Sequence, residues 1–171
     1  MLIMKELNRL VSVLDEEARC YDRIRHEQQA EQQNIISHNY SALDENVLQI
    51  ERLCWHLENL EREREKAVRD LSMNMGWTSF PQELTVTDIA ERVSPPQATK
   101  LREVSDRLSA LLDQVGSANQ ENAYLLGRSL QSVSEILGSL LKELNETNLA
   151  YTNQGQAKAQ PVGAGLFNQH A

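Results

Sequence analysis

Aromatic side chains are scarce in this sequence, at 5% of 171 residues. The mean hydropathy is also low, at -0.51. A thick globular core needs many large apolar side chains, and a chain of this size is long enough for only one domain. The composition therefore argues against a thick core and favours thin layers of amphipathic helix.

Cysteine is also rare, and Cys20 and Cys54 have no close spacing that would encode a metal knuckle or a redox pair. The sequence contains no Gly-rich phosphate loop, no nucleophile elbow, no His/Cys metal spacing and no alternation of strands with helices. We therefore expect no metal, no cofactor and no catalytic residues. Both thiols should stay reduced.

Basic charge is in deficit, because 17 Lys and Arg residues face 25 Asp and Glu residues, for a net charge of -8. Binding to nucleic acid or to an anionic membrane surface needs a basic footprint, so neither is an expected partner. The apolar start at residues 2–4 is too short for a signal-peptide core, and no long apolar run follows. The sequence therefore predicts a cytoplasmic protein that binds other proteins without inserting into a membrane.

The first half of the chain predicts a helical hairpin. Apolar residues at helical spacing indicate one helix over about 4–36, although its stretch 27–33 loses the apolar stripe and should pack weakly. A second helix is predicted over about 41–75, ending at Gly76. A turn near His38 would place Cys20 about level with Cys54. The predicted core stripe of the second helix is Leu43, Val47, Ile50, Cys54, Leu57, Val68, Leu71 and Met75, widened by Leu53 and Leu60.

The second half predicts a short helix and then a long one. Thr85 can cap a helix of one or two turns through residue 92, and Ser94 with Pro95 marks the start of a helix over about 95–144. Its first part carries a coiled-coil-like seam at alternating steps of three and four, interrupted after Ala118 by consecutive fours. We therefore predict an all-α, elongated, antiparallel bundle of three long helices with a short connecting helix.

The predicted helix lengths do not match. At 1.5 Å per residue the last helix would span roughly 75 Å, whereas each of the first two would span roughly 50 Å. An apolar part of the last helix is then left over, and a soluble monomer rarely leaves such a patch bare. It could be covered by a bound helix, by a second copy of the chain, or by the end of the same helix folded back. The residues predicted to bind a partner are Asn122, Leu126, Leu130, Val133, Leu137, Leu140 and Leu144.

Three short segments give the chain a resemblance to a known family. The sequence reads Asp-Ile-Ala-Glu-Arg at 88–92, a polar patch at 119–126 ends in Tyr-Leu-Leu, and Tyr151 is followed by Gly155 and Gln156. With the order of helices, these segments resemble the FlgN family of flagellar type III export chaperones. The resemblance covers nearly the whole chain.

That resemblance implies a cytoplasmic carrier that holds hook-filament junction proteins of the FlgK and FlgL type and delivers them to the export gate. The leftover face would then hold the cargo, and Tyr151 with Gly155 would dock on the cytoplasmic part of the gate. The expected organisation is a helical chaperone domain over 1–150 and a flexible tail over 151–171, which is longer than the family's pattern.

Two other functions fit the residues. A structural coiled-coil adaptor would use the same apolar stripe for self-association. A small mutase-type helical enzyme would need Arg and Lys side chains that converge on an anionic substrate. Here the arginines stand in runs of alternating sign or beside acidic residues, so the sequence argues against an enzyme.

Overall fold

The computed structural model describes residues 2–77 and 84–152, with the side chains of residues 3–77 and 84–144. Every regular element in these ranges is an α-helix, which confirms the all-α prediction. The helices are α1 (Leu2–Ile36), α2 (Tyr40–Met75), α3 (Val86–Glu91) and α4 (Pro95–Thr152). The chain forms two compact units, Met1–Gly127 and Arg128–Ala171.

The helix ends follow local capping chemistry. Gly76 closes α2 in the left-handed conformation, with φ of 65°, and Thr85 caps α3 through a reciprocal pair of bonds with Asp88. Helix α4 continues to Thr152, past the predicted end at Leu144. Of the predicted tail over 151–171, residues 151 and 152 belong to α4, and the rest lies outside the described residues. The division of the chain at residue 150 stays a prediction.

Helices α1 and α2 form an antiparallel hairpin. Near its open end the Arg9 guanidinium lies 3.6 Å from the Asp70 carboxylate. Nearer the turn the Cys20 thiol donates to the Leu53 carbonyl at 3.4 Å, one residue before Cys54, so the predicted register is confirmed. His38 makes the turn with a φ of 56°.

The open end of the hairpin holds the main core of the first unit. Side chains from all four helices meet there, because α3 lies across the end of the hairpin and the start of α4 packs beside it. Trp77 folds back onto this core, as its place in the loop predicts, and the Arg92 guanidinium lies 5.2 Å from its ring centroid. The buried residues are Leu7, Leu10, Leu14, Ala67, Leu71, Ile89, Ala90, Ala98, Leu101 and Val104.

Helix α4 then runs alongside α1 in the same direction. The Arg107 guanidinium contacts the Asp15 carboxylate, and further along the Gln28 amide donates to the Val115 carbonyl at 3.2 Å. Most of the stretch 27–33 is exposed or half-buried, as its lack of an apolar stripe predicts, and Gln28 is the exception. Gln28 is buried there, because side-chain amides replace the missing apolar contacts.

The core stripe predicted for α2 is partly wrong. The buried residues of α2 are Leu53, Leu60, Ala67, Leu71 and Ser72. Val68 and Met75 pack against the main core, and Leu57 packs against a smaller core cluster of Val13, Cys20, Ile24, Leu53 and Leu60. The predicted positions Ile50 and Cys54 instead line an open groove, which Leu57 also borders, and Val47 is exposed. The apolar stripe of α2 is wide enough to cover two sides of the helix, and only one of these sides packs on α1.

A buried carboxylate joins the two helices of the hairpin. Glu17 on α1 accepts from the Arg64 guanidinium on α2 at 2.9 Å. Burial raises the pKa of Glu17 above its ordinary value of 4.5, and the opposing effect of Arg64 is smaller. The folded protein therefore holds a proton at Glu17 more tightly than the unfolded chain does.

This difference predicts how stability depends on pH. Because the folded pKa is the higher one, stability from Glu17 is present below pH 4.5 and is lost as pH rises through the folded value. On acidification from about pH 7 to about pH 4, we expect the wild type to gain stability relative to Glu17→Gln, measured by urea denaturation at each pH. The exposed Glu58→Gln is the control, and an identical pH profile for Glu17→Gln would contradict the assignment.

Candidate functional site

The second unit carries an unusual concentration of exposed apolar side chains. Seven large residues between positions 130 and 144 are 41% to 63% exposed. Large apolar side chains that cluster on one surface mark interaction sites in soluble proteins. We call this set the apolar face: Leu130, Val133, Ile136, Leu137, Leu140, Leu141 and Leu144.

The apolar face is a single continuous surface of one helix. At 3.6 residues per turn its members cover an arc of about 140°, and the polar residues of the segment fill the remainder. Leu130, Val133, Leu137, Leu140 and Leu144 form its seam at alternating steps of three and four. Ile136 and Leu141 widen the seam on its two sides, where a two-stranded coiled coil usually carries charges.

Polar residues around the apolar face are mostly uncharged. Four charged residues occur between 128 and 144, two of each sign. Over the whole second unit three basic and three acidic residues balance, whereas residues 1–127 carry 14 basic and 22 acidic residues. The net charge of -8 therefore resides entirely in the first unit, and the apolar face belongs to a neutral surface.

Asn122 and Leu126, both predicted to bind a partner, belong to the first unit. Asn122 is only 4% exposed, and its amide donates to the Gln28 carbonyl and to the Glu31 carboxylate, each at 2.8 Å. It therefore serves the contact between α4 and α1 and is not available to a partner. Leu126 is 36% exposed and belongs neither to the main core nor to the smaller core cluster that includes Leu53 and Leu60.

The two residues assigned to gate docking are beyond what the structure shows at side-chain level. Tyr151 falls within the backbone of α4, and its side chain lies outside the described residues. Gly155 lies outside them altogether. Their docking role stays a prediction.

Burial and local hydrogen bonds explain the shifted pKa values in this structure. Burial raises the pKa of Cys20 and of Tyr21, both in the hairpin, and a hydrogen bond from the Thr85 side chain lowers the pKa of Asp88 at the start of α3. Within the ranges that the structure describes, no three His, Cys, Asp or Glu side chains group in a way that could hold a metal ion.

No helix in the described part of the chain is both long and apolar enough to cross a lipid bilayer.

Between residues 128 and 144 the side of α4 opposite the apolar face is polar. It includes Arg128, Glu135 and Lys142, which recur every seven residues. The apolar face is therefore one side of an amphipathic helix.

Sequence reasoning missed the open groove between α2 and α4, because the residues that line it were assigned to the core. Two signals were present in the sequence. The stripe of α2 was wider than one contact needs, and Gly116 leaves a gap in the side chains of α4 at the same level. Trp55, next to Cys54 in the sequence, is 69% exposed.

Comparison with known proteins gives one match. The sequence model of the FlgN family, described as FlgN protein, matches residues 1–159 of the chain. No curated protein and no solved structure matches. The family match includes α1 to α4 and therefore both units of the described structure.

The difference in burial along α4 predicts a difference in stability. Leu101→Ala removes a fully buried side chain and should cost about 2–5 kcal/mol, because it leaves a cavity. Leu137→Ala is the same substitution at an exposed site of the same helix and should change stability by less than about 0.5 kcal/mol. Urea denaturation of the two variants makes the comparison, and a comparable loss in both would show that the apolar face is core.

Proposed function

This chain belongs to the FlgN family of flagellar export chaperones, and on that basis we propose that its apolar face holds hook-filament junction proteins of the FlgK and FlgL type before export. FlgN is a chaperone family, so its members act by binding proteins. The proposed cargo surface is the apolar face, from Leu130 to Leu144. We also propose that the chaperone works in the cytoplasm and passes its cargo to the type III export gate.

The observation that carries this proposal is the exposure of seven large apolar side chains on one side of one helix. A helix that packs along such a surface removes apolar side chains of both proteins from water at successive turns. Central apolar anchors of this kind supply most of the binding energy in an interface. Leu137 stands near the middle of the face, and Leu130 and Leu144 lie two turns to either side of it.

The width of the face indicates the form of the partner. A single helix packed on the seam would cover Leu130, Val133, Leu137, Leu140 and Leu144. Ile136 and Leu141 would remain at its two edges, still in contact with water. A cargo segment that presents two helices, or one helix with a broad apolar side, would cover all seven residues. The neutral surroundings favour cargo helices whose polar residues are also uncharged.

Self-association through the same face is the second candidate. The seam has the three-four spacing of a coiled coil, so another copy of α4 could cover it. The two candidates differ in an observable way, because an adaptor of this kind would be a stable oligomer without any cargo. Sedimentation equilibrium of the purified chain distinguishes them.

The cargo proposal predicts the effect of a charge within the face. Leu137→Asp should weaken binding of purified junction proteins by about 30-fold or more, since burial of an unpaired carboxylate is added to the loss of an apolar anchor. Isothermal titration calorimetry measures the affinity. Gln131→Asp adds the same charge on the polar side of the same helix and should bind normally.

Two outcomes would contradict this assignment. Undiminished cargo binding by Leu137→Asp would place the cargo elsewhere on the chaperone. Unfolding of Leu137→Asp, seen as loss of helical circular dichroism, would show that the face is needed for folding. In that case the exposed face would not be the cargo site.

The proposed gate contact predicts a separate effect. Tyr151→Ala should weaken binding to the cytoplasmic part of the export gate and leave cargo affinity unchanged, because Tyr151 lies beyond the apolar face. Tyr124→Ala, at an exposed tyrosine of the same helix, is the matched control. A pull-down with the gate domain compares the variants. Equal loss of gate and cargo binding would mean that Tyr151 is structural.

A further inference from the structure

The first unit contains an open groove that the proposed cargo site does not use. At the open end of the hairpin α2 and α4 meet, since Leu71 and Leu101 share one core cluster. Toward the turn the two helices leave a groove of about 590 Å³, with α1 as its floor. Three helices thus border a space that no other helix of the described residues fills.

Apolar side chains from α2 and α4 form part of both walls of the groove. From α2, Ile50, Cys54 and Leu57 reach it at helical spacing, and from α4 the groove is lined by Leu108 and Leu112. Leu112 is 43% exposed although it stands beside other apolar residues. Apolar side chains on both sides of the groove are suited to the apolar side of an added helix, as in a four-helix bundle.

The floor of the groove contains an unsatisfied acceptor. Gln28 lines the groove and is 4% exposed, and its amide nitrogen already donates to the Val115 carbonyl. Its side-chain oxygen Oε1 is buried and has no hydrogen-bond partner. Buried polar atoms are nearly always paired, because an unmet hydrogen bond is costly. Gln28 carries that cost where α1 packs against α4.

The charged residues that line the groove are mostly acidic, which favours a positively charged ligand. Glu17, Glu58 and Glu61 line it, against one arginine, Arg64. The pair of Glu61 with Arg64, at 3.6 Å, is partly exposed to water and contributes little, so Glu61 can exchange partners readily. The surrounding unit has a net charge of -8. A basic helix is therefore favoured over an acidic one.

From these observations we propose that the groove binds a basic amphipathic helix of another protein, which completes a four-helix bundle with α1, α2 and α4. Its apolar side packs between Leu57 and Leu112. Its Lys or Arg residues face Glu58 and Glu61. This site is separate from the apolar face, and it differs from that face in charge.

The groove offers variants that change it without altering buried contacts. A Cβ atom at Gly116 would meet no atom within 4 Å, so Gly116→Phe can place a ring in the groove. Gly127 is equally unobstructed and does not line the groove, so Gly127→Phe is the matched control. Cys54 is an exposed thiol in the groove wall, whereas Cys20 is buried.

The experiment uses the full chain and two synthetic helical peptides of equal length, one built from Leu and Lys and the other from Leu and Glu. We expect the Leu/Lys peptide to bind more tightly in fluorescence anisotropy. Gly116→Phe should weaken its binding at least tenfold, and Gly127→Phe should change it less than twofold. Bound peptide should also slow alkylation of Cys54 in the wild type, which tests the site without any substitution.

Several results would overturn the proposal. One is wild-type affinity in a folded Gly116→Phe variant, and another is alkylation of Cys54 at the same rate with and without the peptide. Loss of peptide binding in Leu137→Asp would place the peptide on the apolar face. Protection of Cys54 that rises with the concentration of the chain alone would make a second copy the occupant.

Discussion

Burial of α1 on two sides is the constraint on which the first unit depends. One side of α1 packs on α2 through Leu14 and Cys20, and another side receives α4 through Gln28. An ordinary amphipathic stripe serves one neighbour, so α1 needs buried side chains over a wider arc. Where α1 has no apolar residues to pack on α4, side-chain amides connect the two helices by hydrogen bonds. Asn122 on α4 donates to the Gln28 carbonyl and to the Glu31 carboxylate of α1. The cost of that arrangement is one unsatisfied oxygen, Oε1 of Gln28.

The end of α1 also limits how much of α4 can be covered in the first unit. Asn122 contacts Glu31, and α1 ends at Ile36. From Leu130 to Leu144 the side chains of α4 are exposed, and seven of them are large and apolar. No other helix in the described part of the chain covers these seven side chains, and in the function proposed above a helix of the cargo covers them.

The groove and the apolar face differ in the net charge of the unit that contains each of them. All of the net negative charge lies in the first unit, which contains the groove, and the second unit, which contains the apolar face, has no net charge. Attraction to an acidic surface weakens as salt screens it, whereas apolar burial does not depend on such screening. One chaperone can therefore present two partners with different kinds of binding surface, one sensitive to ionic strength and one largely insensitive to it.

The sequence by itself determined the features that arise within a few neighbouring residues. Helical periodicity predicted the all-α fold, Thr85 predicted the start of α3, and the run of leucines after residue 130 predicted an apolar surface on α4. Only the tertiary structure decided which neighbour, if any, covers each apolar side. The helical spacing of Ile50, Cys54 and Leu57 fits a buried core and an open groove equally well, so the spacing could not show that they line a groove. Asn122 likewise could not be placed, because a polar residue in a seam is buried only when a neighbouring helix brings Gln28 and Glu31 within hydrogen-bonding distance. Periodicity records which side of a helix is apolar, and the path of the other helices determines what that side meets.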